Sequence, residues 1–330
     1  MSKENSHGSL LPFKKNYFKM KDRILGLHHI TAIAGNAKRN FEFYTKVMGL
    51  RMVKKTVNFD DPGTYHFYFG DEVGTPGSIL TFFPWEGIGQ GHTGTGMATG
   101  IGYSVPKDSH EYWSERFKKF KVKHDEVAER FGEKFLHFQD PDGLHIDLIV
   151  PGQEDNRNPW ETDDVKASVA TRGFHSITLT LKNVTPTATI LTDILGYKLL
   201  KQEGNRYRFV TDAIENASVV DIIEAPNLAQ GLNAAGTNHH VAFRVKDDAI
   251  LMEYREKIAG KGLSITPKID RDYFFSLYFR EPGGVLFELA TDNPGFAKDE
   301  PVSELGTHLK LPTQYEHART EIEKGLPQLN

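Results

Sequence analysis

A unit of strand, helix and three further strands recurs about four times along this chain of 330 residues. That repeat restricts the fold more than any other feature of the sequence. In the first copy "LHHITAIAG" reads as a strand and "NAKRNFEFYTKVMG" as an amphipathic helix closed by Gly49. Three strand-like runs rich in β-branched and aromatic residues follow: "LRMVKKTVNF", "TYHFYFGD" and "SILTFFP". The second copy starts near "ATGIGYSVP", takes "SHEYWSERFKKF" as its helix and ends in "FLHFQDPDGLHIDLIV". The third runs from "GFHSITLTL" through "TPTATILTDILGYKLL" to "NRYRFVTDA" and "ASVVDIIEAP". The fourth runs from "NHHVAFRV" through "DDAILMEYREKIAGKG" to "YFFSLYFREPGGVLFELAT". Separate helices among many strands make the expected class α+β.

Boundaries follow from the same pattern. Residues 24–150 hold the first pair of units and residues 173–292 the second. The polar stretch "PGQEDNRNPWETDDVKASVATR", residues 151–172, is the linker between them. Residues 293–330 read as a loop plus a short terminal helix. Residues 1–23 read as a mobile tail, and translation from Met20 would leave every unit intact.

The bulk properties exclude several classes. Cysteine is absent, which removes disulfides, thiolate nucleophiles, cysteine-held zinc and iron–sulfur clusters. Any metal must be held by His, Asp or Glu. A net charge of −4 gives no basic stripe for nucleic acid. No apolar run is long enough to span a membrane, and the N-terminus lacks the apolar region of a signal peptide. A cytoplasmic location is the expectation. The run "GQGHTG", residues 89–94, matches G-x-G-x-x-G but belongs to no strand–loop–helix unit, so it reads as a flexible loop.

Candidate ligands lie at recurring places. "GLHHITAIAG" and "TNHHVAFRV" both put a His-His pair followed by Ile or Val at a strand start, and histidine is the commonest metal ligand. "FQDPDGLHIDLI" and "FREPGGVLFELA" are matching hairpins, each with a carboxylate six residues after the proline: Asp147 and Glu288. Glu288 stands in an otherwise apolar strand, where an unpaired carboxylate is costly to bury. A buried salt bridge with Arg271 is the plain structural alternative. First-strand histidines in three units, His29, His175 and His240, leave three sets open. Units three and four would give His175, His240 and Glu288. Units one and two would join His29 to Asp147 with no second histidine. Units one and four would give His29, His240 and Glu288. The shared His-His-[Ile/Val] context favours the third set, and a lone strand histidine such as His175 is by default a satisfied core residue.

Four βαβββ units in a cysteine-free chain resemble the vicinal oxygen chelate superfamily over about residues 24–292. The resemblance implies four modules paired into two curled-sheet domains, with one divalent metal in a cavity. "LHHIT", "GFHS", "HHVAF", "RDYFFSLYFREPGGVLFE" and "LGTHLKLPTQYE" are similar to the hydroquinone-type ring-cleaving dioxygenases of that superfamily. By that resemblance the metal ligands are His29, His240 and Glu288, and His28, Thr31, His239, Arg271 and Tyr278 surround them. Strand alternation raises one conflict, because His28 and His239 should not both share the ligand face; at twisted strand starts they would instead orient the ligands or reach substrate from the rim. Tyr278 and Glu288 flank the "REPGG" turn and share a face if that turn sets the register.

Two imidazoles and one carboxylate form the facial arrangement typical of non-heme Fe(II) oxygenases, although the residues also admit Mn(II) or Zn(II). The implied partners are a small aromatic diol and O₂, with both oxygen atoms entering a ring-opened product. In such a site Tyr278 would hydrogen-bond the bound phenolate, Arg271 would stabilise negative charge, and His239 would move protons. Phe274, Phe275, Trp85, Tyr65, Phe67, Tyr68 and Phe69 are candidates to line the cavity, most of them more simply explained as core. Rival readings are a catechol-cleaving dioxygenase using His175, a glyoxalase-type isomerase with a second carboxylate, and a metal-free small-molecule binding protein. Exposed strand edges in such modules often pair, so a homo-oligomer is a further expectation.

Overall fold

The computed structural model describes residues 23–329, so the expected tail lies outside the described residues apart from Arg23. The protein is α+β, with four βαβββ modules, as the repeat predicts. Module one contains β1 (Leu27–Ala34), α1 (Ala37–Glu42), β2 (Arg51–Val57), β3 (Tyr65–Gly70) and β4 (Ile79–Pro84). Module two contains β5 (Met97–Ser104), α2 (His110–Phe120), β6 (Ala128–Arg130), β7 (Glu133–Gln139) and β8 (His145–Ile149). Module three contains β9 (Gly173–Leu181), α3 (Val184–Thr189), β10 (Lys198–Glu203), β11 (Arg206–Val210) and β12 (Val219–Glu224). Module four contains β13 (Thr237–Val245), α4 (Asp248–Ala259), β14 (Ile269–Asp270), β15 (Phe274–Arg280) and β16 (Leu286–Pro294).

Local signals fix the helices. Asn36 and Asn183 cap α1 and α3 by accepting from backbone N–H groups of the first turn, and Asp247 caps α4. Both α1 and α3 run into a π-helical turn, at Phe43–Val47 and Ile190–Ile194. Gly49, with φ +67°, ends the first of these in the left-handed conformation that glycine adopts without strain.

Each module's first strand pairs in parallel with its own last strand and antiparallel with the first strand of another module. Two curled sheets of eight strands result, ordered β14-β15-β16-β13-β1-β4-β3-β2 and β10-β11-β12-β9-β5-β8-β7-β6. The sheets therefore join modules one and four and modules two and three, crossing the chain-order halves 24–150 and 173–292. The connections between modules show how. Residues 90–95 run beside residues 230–235 through the bridges Gln90↔Ala235, His92↔Leu232 and Thr95↔Gln230. A Cβ on Gly94 would lie 2.4 Å from the backbone nitrogen of Gly231, so only glycine allows this approach. "GQGHTG" is thus a paired crossing segment and not a free loop.

The second sheet carries an ion-pair network. His175 Nε2 lies 3.1 Å from Glu133, and Arg208 bonds Asp221 at 2.8 and 3.0 Å and also reaches Glu133. Burial pushes the Glu133 carboxyl up, but His175 and then Arg208 outweigh it and hold it at about 2. A carboxyl depressed on folding contributes stability that is present above its unfolded value near 4.5 and is lost as pH falls towards 2. Urea unfolding of wild type and Glu133→Gln should therefore differ by roughly 3 kcal/mol at neutral pH, with the gap closing between about pH 4.5 and 2. A gap independent of pH would contradict this origin.

The C-terminal segment packs along β2 and ends in α5 (Arg319–Gly325). Leu309 bridges to Lys55, and Leu311 and Leu326 close over Val57. Among the described residues no helix is long and apolar enough to cross a membrane.

Candidate metal centre

β1 and β13 lie side by side at the centre of the first sheet, with Thr31 opposite His240. Each of these strands carries one bulge, and each bulge falls on the first histidine of its pair. Leu27 and His29 face consecutive residues of β13, which leaves His28 as the extra residue; Thr31 and Ala32 face His240 and Asn238, which leaves His239. A bulge suspends strict alternation. It lets His28 Nδ1 sit 2.9 Å from His29 Nδ1, and His239 Nδ1 sit 2.8 Å from His240 Nδ1. The conflict of strand parity is resolved in this way.

The second histidines meet at one carboxylate. His29 Nε2 and His240 Nε2 lie 3.1 and 2.9 Å from Glu288 Oε2. Glu288 comes from β16, the parallel neighbour of β13, where it pairs with Ala242, and it is fully buried. These three form the one group of three metal-binding side chains that converges among the described residues, with ligand atoms within 4.8 Å of one another. Arg271, the alternative partner for Glu288, instead directs Nε to Tyr278 Oη at 3.3 Å and lies 3.7 Å from Asp60.

The donor set fits a divalent cation. His240 Nε2 and Glu288 Oε2 are buried without a hydrogen-bond partner, a costly state unless something electropositive sits between them. Burial opposes ionisation of Glu288, yet His29 and His240 outweigh it and hold the carboxyl well below its ordinary range. Burial lowers His240, with Glu288 opposing that shift, and so favours the neutral ring that metals need. The tautomers are then set by the network. With Nε2 free for a metal, His29 Nδ1–H donates to His28 Nδ1, and His28 Nε2–H donates to the Thr291 carbonyl at 3.1 Å. Likewise His240 Nδ1–H donates to His239, leaving His239 Nε2–H as a donor at the cavity.

A cavity of about 410 Å³ opens above the triad, lined by His29, Thr31, His239, His240, Arg271 and Tyr278 together with aromatic rings. Tyr278 stands directly across from Glu288 in the β15–β16 hairpin, so the "REPGG" turn does set the register that brings them to one face. Burial, then Glu288, raises the Tyr278 hydroxyl above its ordinary value, while Arg271 opposes that shift. His239 is held at about 4 by burial and then by His240. Of the aromatic candidates, Phe274, Trp85 and Tyr68 line the cavity. Phe67 and Phe69 face the core, Tyr65 packs on it, and Phe275 lies outside the lining. His66 and Phe83 also line it and had no sequence signal beyond strand alternation. At the mouth, Trp85 donates to Asp61 at 3.1 Å, and Tyr315 from the C-terminal segment donates to the Phe59 carbonyl at 2.7 Å.

The rival ligand sets are not assembled. His175 is on β9 in the second sheet, paired with Glu133, and Asp147 is engaged by Arg130 and, at 2.7 Å, by His137.

Comparison with known proteins follows the same lines. Residues 26–148 and 173–289 match the Glyoxalase/Bleomycin resistance protein/Dioxygenase superfamily. A Bacillus subtilis protein provisionally named ring-cleaving dioxygenase MhqO is 46% identical over 309 residues, covering 93% of this chain and 97% of that protein. The chlorohydroquinone/hydroquinone 1,2-dioxygenase of Sphingobium indicum is 34% identical over 310 residues, covering 92% and 96%. A crystal structure of a Bacillus subtilis protein provisionally described as a dioxygenase superposes with a TM-score of 0.90 at 44% identity, covering 94% of this chain and 98% of that one. The paired βαβββ modules and these matches together place the chain in the glyoxalase/bleomycin resistance protein/dioxygenase superfamily.

Proposed function

We propose that the protein is an Fe(II)-dependent ring-cleaving dioxygenase that opens hydroquinones, including substituted ones, in the detoxification or breakdown of aromatic compounds. The observation that carries this reading is the convergence of His29, His240 and Glu288 beneath an aromatic-walled cavity. Two neutral imidazoles and one carboxylate are the donor set of non-heme Fe(II) oxygenases. Its size falls within the range of about 300–1,000 Å³ usual for small-molecule sites. The hydroquinone activity named for the Sphingobium indicum relative supports the substrate class. A single carboxylate in the group argues against the isomerase reading, which calls for two. When bound, iron supplies a path for electrons from the diol to O₂, a triplet that reacts slowly with a closed-shell ring.

The chain's own residues do the rest. His28 and the Thr291 carbonyl hold the His29 ring in orientation, and His239 does the same for His240. His239 Nε2–H offers a neutral donor to oxygen atoms in the cavity. Tyr278, kept protonated by its surroundings, donates to the substrate oxygen nearest the triad. Arg271 stabilises the negative charge that a deprotonated diol brings, in a setting where fixed charges act strongly. Phe274, whose ring centre lies 4.9 Å from that of His29, and Phe83 and Trp85 exclude water from the ring.

The direct test is anaerobic iron loading followed by O₂ uptake with hydroquinone, methylhydroquinone and catechol. Uptake that requires Fe(II) and prefers the hydroquinones is expected. Preference for catechol would move the reading to catechol cleavage, and no uptake with any diol would end it. Tyr278→Phe should lower kcat/KM for hydroquinone by about 10- to 100-fold, the worth of one hydrogen bond to a charged group, with iron content unchanged. A loss smaller than about threefold would remove Tyr278 from the chemistry.

A further inference from the structure

One wall of the cavity comes from β3 and β4, strands that hold none of the polar residues given roles above. Along β3, alternation sends Phe67 and Phe69 to the core and His66 and Tyr68 to the cavity. Tyr68, His66 and Thr81 of these strands and Thr31 of β1 form an unbroken hydrogen-bonded chain. Tyr68 Oη lies 3.0 Å from His66 Nδ1, His66 Nε2 lies 3.0 Å from Thr81 Oγ1, and Thr81 Oγ1 lies 2.9 Å from Thr31 Oγ1. All four residues are buried. Tyr68, His66 and Thr31 line the cavity, and Thr81 sits behind them.

Such a chain has a direction. A neutral imidazole carries one N–H and one lone pair, so His66 accepts at one nitrogen and donates at the other. Burial, then the neighbouring His29 and Arg271, keep the ring neutral by lowering it well below its ordinary value. In one tautomer Tyr68 donates to Nδ1, Nε2–H donates to Thr81, and Thr81 donates to Thr31. The Thr31 O–H is then left for the cavity. In the other tautomer every bond reverses, and the Tyr68 O–H is left. Either way one end of the chain presents a donor to the cavity and the other presents an acceptor.

We infer that the chain Tyr68–His66–Thr81–Thr31 is the seat for the diol hydroxyl that stays off the metal, and that it selects aromatic diols over monophenols. The inference rests on the proposed reading of the triad as the place where the first hydroxyl binds. A hydroxyl is itself both donor and acceptor, so it can add to either end. A ring lacking it leaves a buried polar end without its partner, which is how sites built around a substrate hydroxyl reject analogues that lack one. His66 and Thr81 are positioning residues in this scheme, because they act through the chain ends.

Thr81 makes the test clean, since it is buried, does not line the cavity, and has an isosteric replacement in valine. Anaerobic titration calorimetry on the iron-loaded protein would compare hydroquinone with phenol, and O₂ uptake would be followed in parallel. Thr81→Val and Tyr68→Phe should each weaken hydroquinone binding about tenfold and raise its KM in step, while leaving phenol binding within about twofold. Thr81→Ser, which keeps the hydroxyl, should restore the wild-type ratio. Equal losses for phenol and hydroquinone would reduce the chain to a structural support and overturn the inference. Unchanged hydroquinone binding in both variants would overturn it as well. If wild type binds hydroquinone in preference to phenol yet consumes no O₂, the dioxygenase reading fails while the seat stands, so the two failures are separable.

Discussion

His29→Ala should leave the protein unable to hold iron and should lower O₂ uptake with hydroquinone by more than about 100-fold, since even partners standing behind metal ligands cost 10- to 100-fold. The reason lies in the geometry. His29 and His240 face Glu288 from adjacent strands, and with one imidazole gone the carboxylate keeps only His240 and Ser276. Two donors do not secure a divalent ion against water. His175→Ala is the matched control, because His175 belongs to the Glu133 network of the other sheet. Iron per chain after anaerobic reconstitution, measured by atomic emission beside O₂ uptake, decides between them. Retention of iron and turnover in His29→Ala, with loss in His175→Ala, would move the centre to the second sheet. Circular dichroism of both variants separates lost ligation from lost fold.

Lys54→Met should destabilise the protein by about 3–5 kcal/mol, the range found when one partner of a buried ion pair is removed. Lys54 is wholly buried within β2, where its ammonium binds Asp299 at 2.6 Å and also Glu300, itself nearly buried. Methionine fills the space of the stem but leaves the buried Glu300 carboxylate without its ammonium partner. The pair also fastens the segment after β16 to the first sheet. Asp299 accepts from Tyr273, and the Lys54 ammonium lies 4.8 Å from the centre of the Tyr273 ring. Tyr273 precedes Phe274, the ring packed on His28 and His29, so loosening here should also reach the candidate metal centre. Urea unfolding measures the first effect, and a loss below about 1 kcal/mol would mean that Lys54 carries little of this fastening.

The modules were legible because their signals are local. Gly49 after its helix and the acidic-Pro-x-Gly turns each act within a few residues, and each appears where the sequence places it. The turn also carried the Tyr278–Glu288 register, since hairpin pairing propagates from its loop. What escaped depends on distant partners. The bulges at His28 and His239 arise where β1 meets β13, over two hundred residues away, so alternation alone could not place either ring. In "YHFYFG" aromatic residues occupy both faces of the strand, which hid the division between the core side and the His66–Tyr68 side. The burial of Lys54 left no local signal, because its acidic partners lie about 245 residues further on. The joining of modules one and four, against chain order, was visible only through the repeated His-His context, and the glycines that permit the crossing passed for a flexible loop.

The most direct measurement is mass spectrometry of the product formed by the iron-loaded protein from hydroquinone under ¹⁸O₂. The expected product is ring-opened, retains all six ring carbons, and carries both labelled atoms, one molecule of O₂ being consumed per diol. Oxidation to a quinone without label, with O₂ released as hydrogen peroxide, would contradict ring cleavage at the His29–His240–Glu288 centre.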